Sequence, residues 1–165
     1  SILFKRGEEF RGELNITDID FNNVIKDMSD LYDITGRIKN INFTKSLQQN
    51  CKFRSDDISI KIILNNLLSN AFKYQRKDNT DKSVLLNVEV DNATTVITVE
   101  DNGIGIPDKN LNNVYTMFFR GANDEIGSGF GLYNVKDALG KIGGKIELQS
   151  TENEGTKFTV TIPSK

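Results

Sequence analysis

Residues 64–75 read "LNNLLSNAFKYQ", an apolar helical pattern that contains three asparagines, two of which, Asn66 and Asn70, lie four positions apart. Burying an asparagine amide costs about 1–3 kcal/mol unless new partners replace its hydrogen bonds to water. At about 100° per residue, Asn66 and Asn70 lie about 40° apart, and Lys73 lies about 20° to the other side of Asn66. With Lys77, these residues form one narrow polar stripe along the predicted helix.

The opposite face of this helix is apolar and suits packing on a sheet. Its predicted members are Ile60, Leu64, Leu67 and Ala71. A polar stripe alone is typical of the solvent face of any surface helix. The two asparagines therefore indicate a site only if other motifs accompany them.

The segments upstream of this helix predict alternating strand and helix. Residues 13–20 and 41–53 have the pattern of extended structure, and residues 21–37 have the spacing of an amphipathic helix. Ser55 and Asp56 are candidate N-cap residues for the central helix. Residues 1–12 form a short charged segment that we expect to be the end of an upstream helix or linker.

The segments downstream predict a sheet and one more helix. Residues 83–91 and 94–101 have the pattern of a hairpin, residues 132–144 are helical, and residues 145–163 form a second hairpin that turns at residues 153–155. Between them, residues 107–131 carry many glycines and short polar side chains. This composition predicts a long mobile loop with at most a short helix.

The overall composition excludes several classes of function. With 21 basic and 23 acidic residues, the net charge of −2 gives no global attraction to nucleic acid or to an anionic membrane. No stretch approaches the roughly 18 apolar residues of a membrane span, so we expect a soluble, cytoplasmic domain without membrane contact. The single Cys51 cannot form an internal disulfide, and the absence of histidine removes the usual general base and phosphate acceptor.

Two glycine-rich motifs accompany the asparagine helix. In "EDNGIGIP", residues 100–107, an aspartate ends a strand and alternate glycines let the backbone turn sharply beside a flat ligand. In "GSGFGLYNVK", residues 127–136, alternate glycines open a helix whose N–H groups suit phosphates. Each motif alone is a weak signal, because the first is also an ordinary turn and the second lacks the Gly-Lys-Ser/Thr of a Walker loop.

Together, and in this order, the motifs resemble the ATP-binding catalytic domain of sensor histidine kinases. That domain belongs to the wider GHKL group of ATPases, with gyrase, the mismatch-repair ATPases and a heat-shock chaperone. "NNLLSNAFKY" resembles the N box, "DNGIG" the first glycine box, "MFFRG" the F box, "GSGFGL" the second glycine box and "EGTKFTVTIP" the closing Gly-Thr strand. The resemblance implies a two-layer α/β sandwich of the Bergerat type. We expect a mixed sheet of about five strands under three helices, with a mobile ATP lid over residues 108–130.

The resemblance also implies roles around the base. Asp101 would accept a hydrogen bond from the adenine amino group. Gly103 and Gly105 would let the purine approach, and Tyr74, Ile106 and Thr156 would lie beside it.

On the phosphate side, the resemblance implies that Asn70 coordinates Mg²⁺ through its side-chain oxygen, a hard ligand suited to this ion. Asn66 would point to the same region and Lys73 would contact phosphate. The residues implied to hold the triphosphate from the lid, or to dock the helix that follows it, are Arg120, Gly127, Ser128, Gly129, Gly131 and Leu132. Tyr115 stands where the F box of the family usually has phenylalanine.

Asn66 distinguishes two kinds of reaction. ATP-hydrolysing relatives have a glutamate one turn before the metal asparagine, whereas the amide of Asn66 cannot act as a base at neutral pH. We therefore expect slow hydrolysis and transfer of the γ-phosphoryl group to a histidine outside this chain.

The resemblance further implies the partners of the domain. "FRGELNITDIDFNNVI" is similar to the junction that follows a dimerisation helix, so residues 1–12 would end that helix and residues 13–165 would form the ATP-binding domain. The expected partners are this upstream histidine domain, a downstream response regulator receiver domain, and a second copy of a homodimeric parent protein. An anti-sigma-factor serine/threonine kinase and a non-catalytic nucleotide-sensing module of the same fold are the alternative interpretations.

Overall fold

The computed structural model describes residues 13–113 and 130–165, which form a five-stranded sheet covered by helices on one face. The strands of the described residues are β1 Ile16–Asp18, β2 Ile41–Gln49, β3 Arg54–Asp56, β4 Lys82–Val90, β5 Thr94–Asp101, β6 Lys145–Thr151 and β7 Gly155–Pro163. In the five-stranded sheet they lie in the order β2-β4-β5-β7-β6. Strands β2 and β4 pair in parallel and the other neighbours pair antiparallel, so the sheet is mixed as predicted.

Three helices form the second layer: α1 Phe21–Lys39, α2 Asp57–Lys73 and α3 Phe130–Ile142. Helix α2 makes the crossover that a parallel β2–β4 pair requires. A six-residue 3₁₀ helix, Asp108–Asn113, follows the loop after β5. The predicted α/β sandwich, with about five strands and three helices, is confirmed.

Strand alternation explains why the helices cover only one face. In β4, Val84, Leu86, Val88 and Val90 are buried, whereas Leu85 and Glu89 on the other face are exposed. The same period of two recurs in β5 and β7. One face of the sheet therefore contributes to the core and the other meets solvent.

Helix α2 lies at the centre of this core. Asp56 caps its start by accepting a 2.9 Å hydrogen bond from the Ser59 backbone N–H, which confirms one of the two candidate caps. The predicted apolar face is also confirmed, because Ile60, Leu64, Leu67 and Ala71 are at most 2% exposed. Its polar stripe is thereby held on the side away from the sheet.

Several boundaries differ from the sequence prediction. The strand predicted over residues 13–20 is only β1, Ile16–Asp18, and it pairs with β3, Arg54–Asp56, outside the main sheet. Helix α2 ends at Lys73, so Lys77 lies beyond the helix and does not continue the stripe. Helix α3 begins at Phe130, two residues earlier than predicted.

The turn predicted at residues 153–155 is confirmed, with positive φ at Asn153 and Gly155. Among the described helices, none has the length and apolar content needed to cross a membrane. Residues 1–12, the F box and most of the predicted lid lie outside the described residues.

Candidate functional site

Asp101 is the last residue of β5, and its neighbour on β7 is Thr156. The carboxylate is partly buried and accepts hydrogen bonds from the backbone N–H groups of Gly103, at 2.8 Å, and Thr156. Burial raises the pKa of Asp101 to about 7, although these two hydrogen bonds lower it. A carboxyl group with a perturbed pKa at the end of a strand is a candidate for ligand recognition.

The glycines that follow Asp101 are required by the chain itself. A Cβ on Gly103 would overlap the Tyr74 carbonyl oxygen, and a Cβ on Gly105 would overlap the Thr151 carbonyl oxygen. Gly105 also has φ of 68°, which disfavours other residues. The two glycines therefore have a structural role in the packing of the loop. Their implied second role, to let a purine approach the backbone closely, stays a prediction.

We expect Gly103→Ala to lower the free energy of unfolding by about 2–4 kcal/mol, because the new methyl group meets backbone that cannot move aside cheaply. Gly140→Ala is the matched control. Gly140 lies in α3 with open space around it, so alanine there should stabilise by about 0.5–1 kcal/mol. Chemical denaturation measures both variants, and equal effects at the two positions would contradict the packing argument.

Tyr74 joins the loop after Asp101 to the end of α2. It is the C-cap of α2, and its carbonyl oxygen accepts a 2.8 Å hydrogen bond from the Ile104 N–H. On the other side, the Ile104 carbonyl oxygen accepts a 2.7 Å bond from the Asn153 N–H in the β6–β7 turn. The loop is thus fixed between α2 and the closing hairpin, and Asp101 lies near the C-terminal end of the polar stripe.

The stripe itself lies on the last two turns of α2. The side-chain N–H of Asn66 donates to the Ile62 carbonyl oxygen at 2.7 Å. The side-chain oxygen of Asn66 takes no part in this bond. Asn70 is partly buried, and within residues 13–113 and 130–165 its side chain makes no hydrogen bond. Lys73 is exposed in the last turn. The two asparagines of the stripe are therefore not fully buried, and Asn66 bonds its own helix.

The predicted residues on the base side are brought together. Ile106 is partly buried and packs against the core, and its N–H donates to Ser150 at 2.7 Å. Leu132 is buried under the start of α3, as the docking role requires. Gly131 belongs to α3, whereas Arg120, Gly127, Ser128 and Gly129 lie outside the described residues.

Two further residues were missed from the sequence. Asn102 ties the loop to the start of β4, since its side chain accepts from the Ser83 N–H at 2.9 Å and donates to the Asp81 carbonyl oxygen at 2.7 Å. Ser150 contacts both Ile106 and Thr156. The "DN" pair hinted at Asn102 through ordinary turn chemistry, but no pattern indicated Ser150.

The residues present fit a purine nucleotide and a divalent cation. Asp101 is a partly buried acceptor beside apolar Ile106, which suits a base with an exocyclic amine. No group of three or more metal-binding side chains of the Cys, His, Asp or Glu type occurs among the described residues. The amide oxygen of Asn70, which has no hydrogen-bond partner in the described part of the chain, fits Mg²⁺ as a protein ligand, and nucleotide phosphates and water would supply the other ligands.

Comparison with known proteins identifies a family. Residues 55–165 match the family described as histidine kinase-, DNA gyrase B-, and HSP90-like ATPase. The chain is 34% identical over 111 residues to the probable C4-dicarboxylate sensor kinase of Bacillus subtilis, covering 67% of this chain and 21% of that protein. It is 30% identical over 160 residues to the sensor protein RprX of Bacteroides fragilis, covering 93% of this chain and 30% of that protein. The chain therefore spans less than a third of these relatives.

Solved structures show the same fold. The catalytic domain of histidine kinase ThkA superposes with a TM-score of 0.77 at 24% identity, covering 92% of this chain and 99% of that one. A mycobacterial sensor histidine kinase, MprB, gives a TM-score of 0.71 at 24% identity with the same two coverages. The resemblance found in the sequence is confirmed, and the family implies ATP binding. This chain belongs to the histidine kinase-, DNA gyrase B- and HSP90-like ATPases.

Proposed function

We propose that this domain binds ATP with Mg²⁺ and transfers the γ-phosphoryl group to a histidine on an upstream domain of the same protein. The observation that carries the proposal is the 2.8 Å bond between Ile104 and Tyr74, which joins the Asp101 loop to the end of the Asn66–Asn70 helix. An acceptor for a base and a polar stripe for phosphates thus lie at two adjoining parts of one site.

On the base side, Asp101 accepts from the adenine amino group, and Thr156, Tyr74 and Ile106 bound the ring. Gly103 and Gly105 allow the loop after Asp101 to pack against the end of α2 and the β6–β7 turn. The site thereby orients one end of an extended nucleotide, and positioning is the main contribution that a protein makes to phosphoryl transfer.

On the phosphate side, Asn70 holds Mg²⁺ and Lys73 contacts the phosphates, with Arg120 and the glycine box from Gly127 to Gly131 on the lid side. Mg²⁺ held by Asn70 would supply the positive charge that stabilises the phosphoryl oxygens during transfer. Asn66 cannot take a proton from water at neutral pH, so the domain favours transfer over hydrolysis.

The proposal includes partners beyond this chain. The chain contains no histidine, so the proposed acceptor lies on another domain of the parent protein, which the family resemblance places upstream. A homodimeric parent protein, a response regulator receiver domain that takes the phosphoryl group onward, and a cytoplasmic position follow from the same assignment. The names of the relatives as sensor kinases support it.

Radiolabelled ATP tests the proposal directly. The purified chain alone should acquire no acid-labile label and should hydrolyse ATP slowly. A histidine-bearing two-helix domain from the same parent protein, supplied as a separate chain, should become labelled in an acid-labile form. Asn66→Glu should raise hydrolysis relative to transfer, by less than the roughly 10²–10⁴-fold that a well-placed general base provides.

Three results would contradict the proposal. They are acid-labile label on this chain alone, rapid hydrolysis by the unmodified chain, and acid-stable label on a serine or threonine of the supplied domain. The last would favour the alternative kinase specificity.

A further inference from the structure

Ser150, on β6, makes three hydrogen-bond contacts through one oxygen atom. Its Oγ accepts from the Ile106 N–H at 2.7 Å, donates to the Gly155 carbonyl oxygen at 2.9 Å and lies 3.0 Å from the Thr156 Oγ1. Ser150 therefore connects the loop after Asp101 with the first two residues of β7. No role was assigned to it from the sequence or from the proposed function.

The number of protons in this cluster favours one direction for the third contact. A serine hydroxyl has one proton, and of its two possible acceptors the Gly155 carbonyl oxygen can only accept and lies closer, at 2.9 Å against 3.0 Å, so we assign the proton of Ser150 to Gly155. The Ser150–Thr156 contact then requires Thr156 to be the donor. With its own proton committed to Ser150, the Thr156 oxygen has only lone pairs left for a ligand.

Thr156 and Asp101 are directly opposed residues on neighbouring antiparallel strands, so their side chains lie on the same face of the sheet. The Thr156 backbone N–H also donates to the Asp101 carboxylate. Two oxygens that can only accept are thus presented side by side. A 6-amino purine offers two N–H donors at this position, whereas a 6-oxo purine offers a carbonyl oxygen that both groups would repel.

We propose that Ser150 is a positioning residue that sets base specificity, by holding Thr156 as an acceptor so that the site takes 6-amino purines and rejects 6-oxo purines. The inference rests on the proposed nucleotide site. Without Ser150, the Thr156 hydroxyl is free to turn its proton toward a 6-oxo group. Discrimination between the two bases should then fall, even if the rest of the site is intact.

The test is calorimetric binding of ADP and inosine diphosphate at pH 8, where Asp101 is mainly ionised. The wild-type chain should prefer ADP. Ser150→Ala should reduce the ratio of the two dissociation constants by about three- to tenfold, the effect of one hydrogen bond. Ser150→Thr keeps the hydroxyl and should restore the ratio.

The ratio separates this role from a structural one. If Ser150 were only structural, loss of its bonds to Ile106 and Gly155 would loosen the loop and weaken the binding of both nucleotides equally. The ratio of the two dissociation constants would then be unchanged. Thr156→Val provides a second variant if Ser150→Ala does not fold. It should lower the ratio by a similar factor, and adding Ser150→Ala to it should lower the ratio no further.

The outcomes distinguish the two proposals. If the wild-type chain binds neither nucleotide, the proposed function fails and this inference fails with it. If the wild-type chain prefers ADP but Ser150→Ala and Thr156→Val keep the full preference, only the role of Ser150 is overturned.

Discussion

Asp101→Asn is expected to weaken ADP binding at least tenfold at pH 8. The variant keeps the size of the side chain but loses the charged acceptor proposed to face the adenine amino group, and a hydrogen bond to a charged group contributes about 1.5–3 kcal/mol. Isothermal calorimetry measures the change. Glu100→Gln is the matched control, because Glu100 is the exposed neighbour of Asp101. Its substitution removes the same charge from a position outside the proposed contact with the base.

The same substitution should abolish a pH dependence. Because the pKa of Asp101 is raised to about 7 in the empty site, binding a ligand that needs the carboxylate must first remove a proton at lower pH. Wild-type affinity should fall by up to about tenfold per pH unit below 7, whereas Asp101→Asn should show little slope. Unchanged affinity in the variant, or equal slopes in both proteins, would contradict the assignment of Asp101.

Stability of the empty domain should change in the opposite direction. A carboxyl group whose pKa is higher in the folded state than in the unfolded state contributes stability at low pH, and this contribution is lost as pH rises from about 4 to 7. Asp101→Asn does not titrate. Its stability relative to wild type should therefore increase over this interval, so weak binding by the variant would not be explained by unfolding.

The second large effect concerns Asn70→Asp. The variant keeps an oxygen atom in a side chain of the same size but adds a negative charge beside the proposed phosphate position, so we expect binding of the proposed Mg²⁺ to survive and the productive geometry to be lost. We expect phosphoryl transfer to the upstream histidine domain to fall by about 10²-fold or more, since the step depends on positioning and charge. Transfer of radiolabel in a single turnover measures it.

Asn65→Asp is the control for the second effect. Asn65 lies on the same helix, and its side-chain oxygen accepts a 2.7 Å hydrogen bond from the Tyr32 hydroxyl. Aspartate preserves that acceptor and adds the same charge five residues away along the helix. Transfer at the wild-type rate by Asn70→Asp, or an equal loss in Asn65→Asp, would show that Asn70 is not the metal ligand.

Much of the fold was predictable because its determinants are local. The 3.6-residue period identified α2 and its buried face, and the two-residue period identified β4, β5 and the closing hairpin. The strand at residues 13–20 was overestimated because alternation does not reveal the partner. β1 pairs only with the three residues of β3, and its length is limited by that pairing.

The candidate site could be predicted only for residues that stand in a recognisable motif with a chemical role. Asp101 and Thr156 stand in separate motifs, and only their pairing across β5 and β7 shows that they are neighbours. Ser150 could not be found, because its importance comes from three contacts with residues 44, 5 and 6 positions away. Gly103 and Gly105 were predicted because a purine could approach them closely. In the structure, their missing Cβ atoms make room for the carbonyl oxygens of Tyr74 and Thr151.

The position of β7 has a consequence for how the protein is made. Although β7 follows every other strand along the chain, it lies inside the sheet, between β5 and β6. A nascent chain that has reached only residue 151 has β5 paired on one edge, with β4, and its β6 has no neighbouring strand to pair with. It also lacks Thr156, so Asp101 is without its partner across β5 and β7. We therefore expect the proposed base site to form only after β7 has been synthesised and has paired with both β5 and β6.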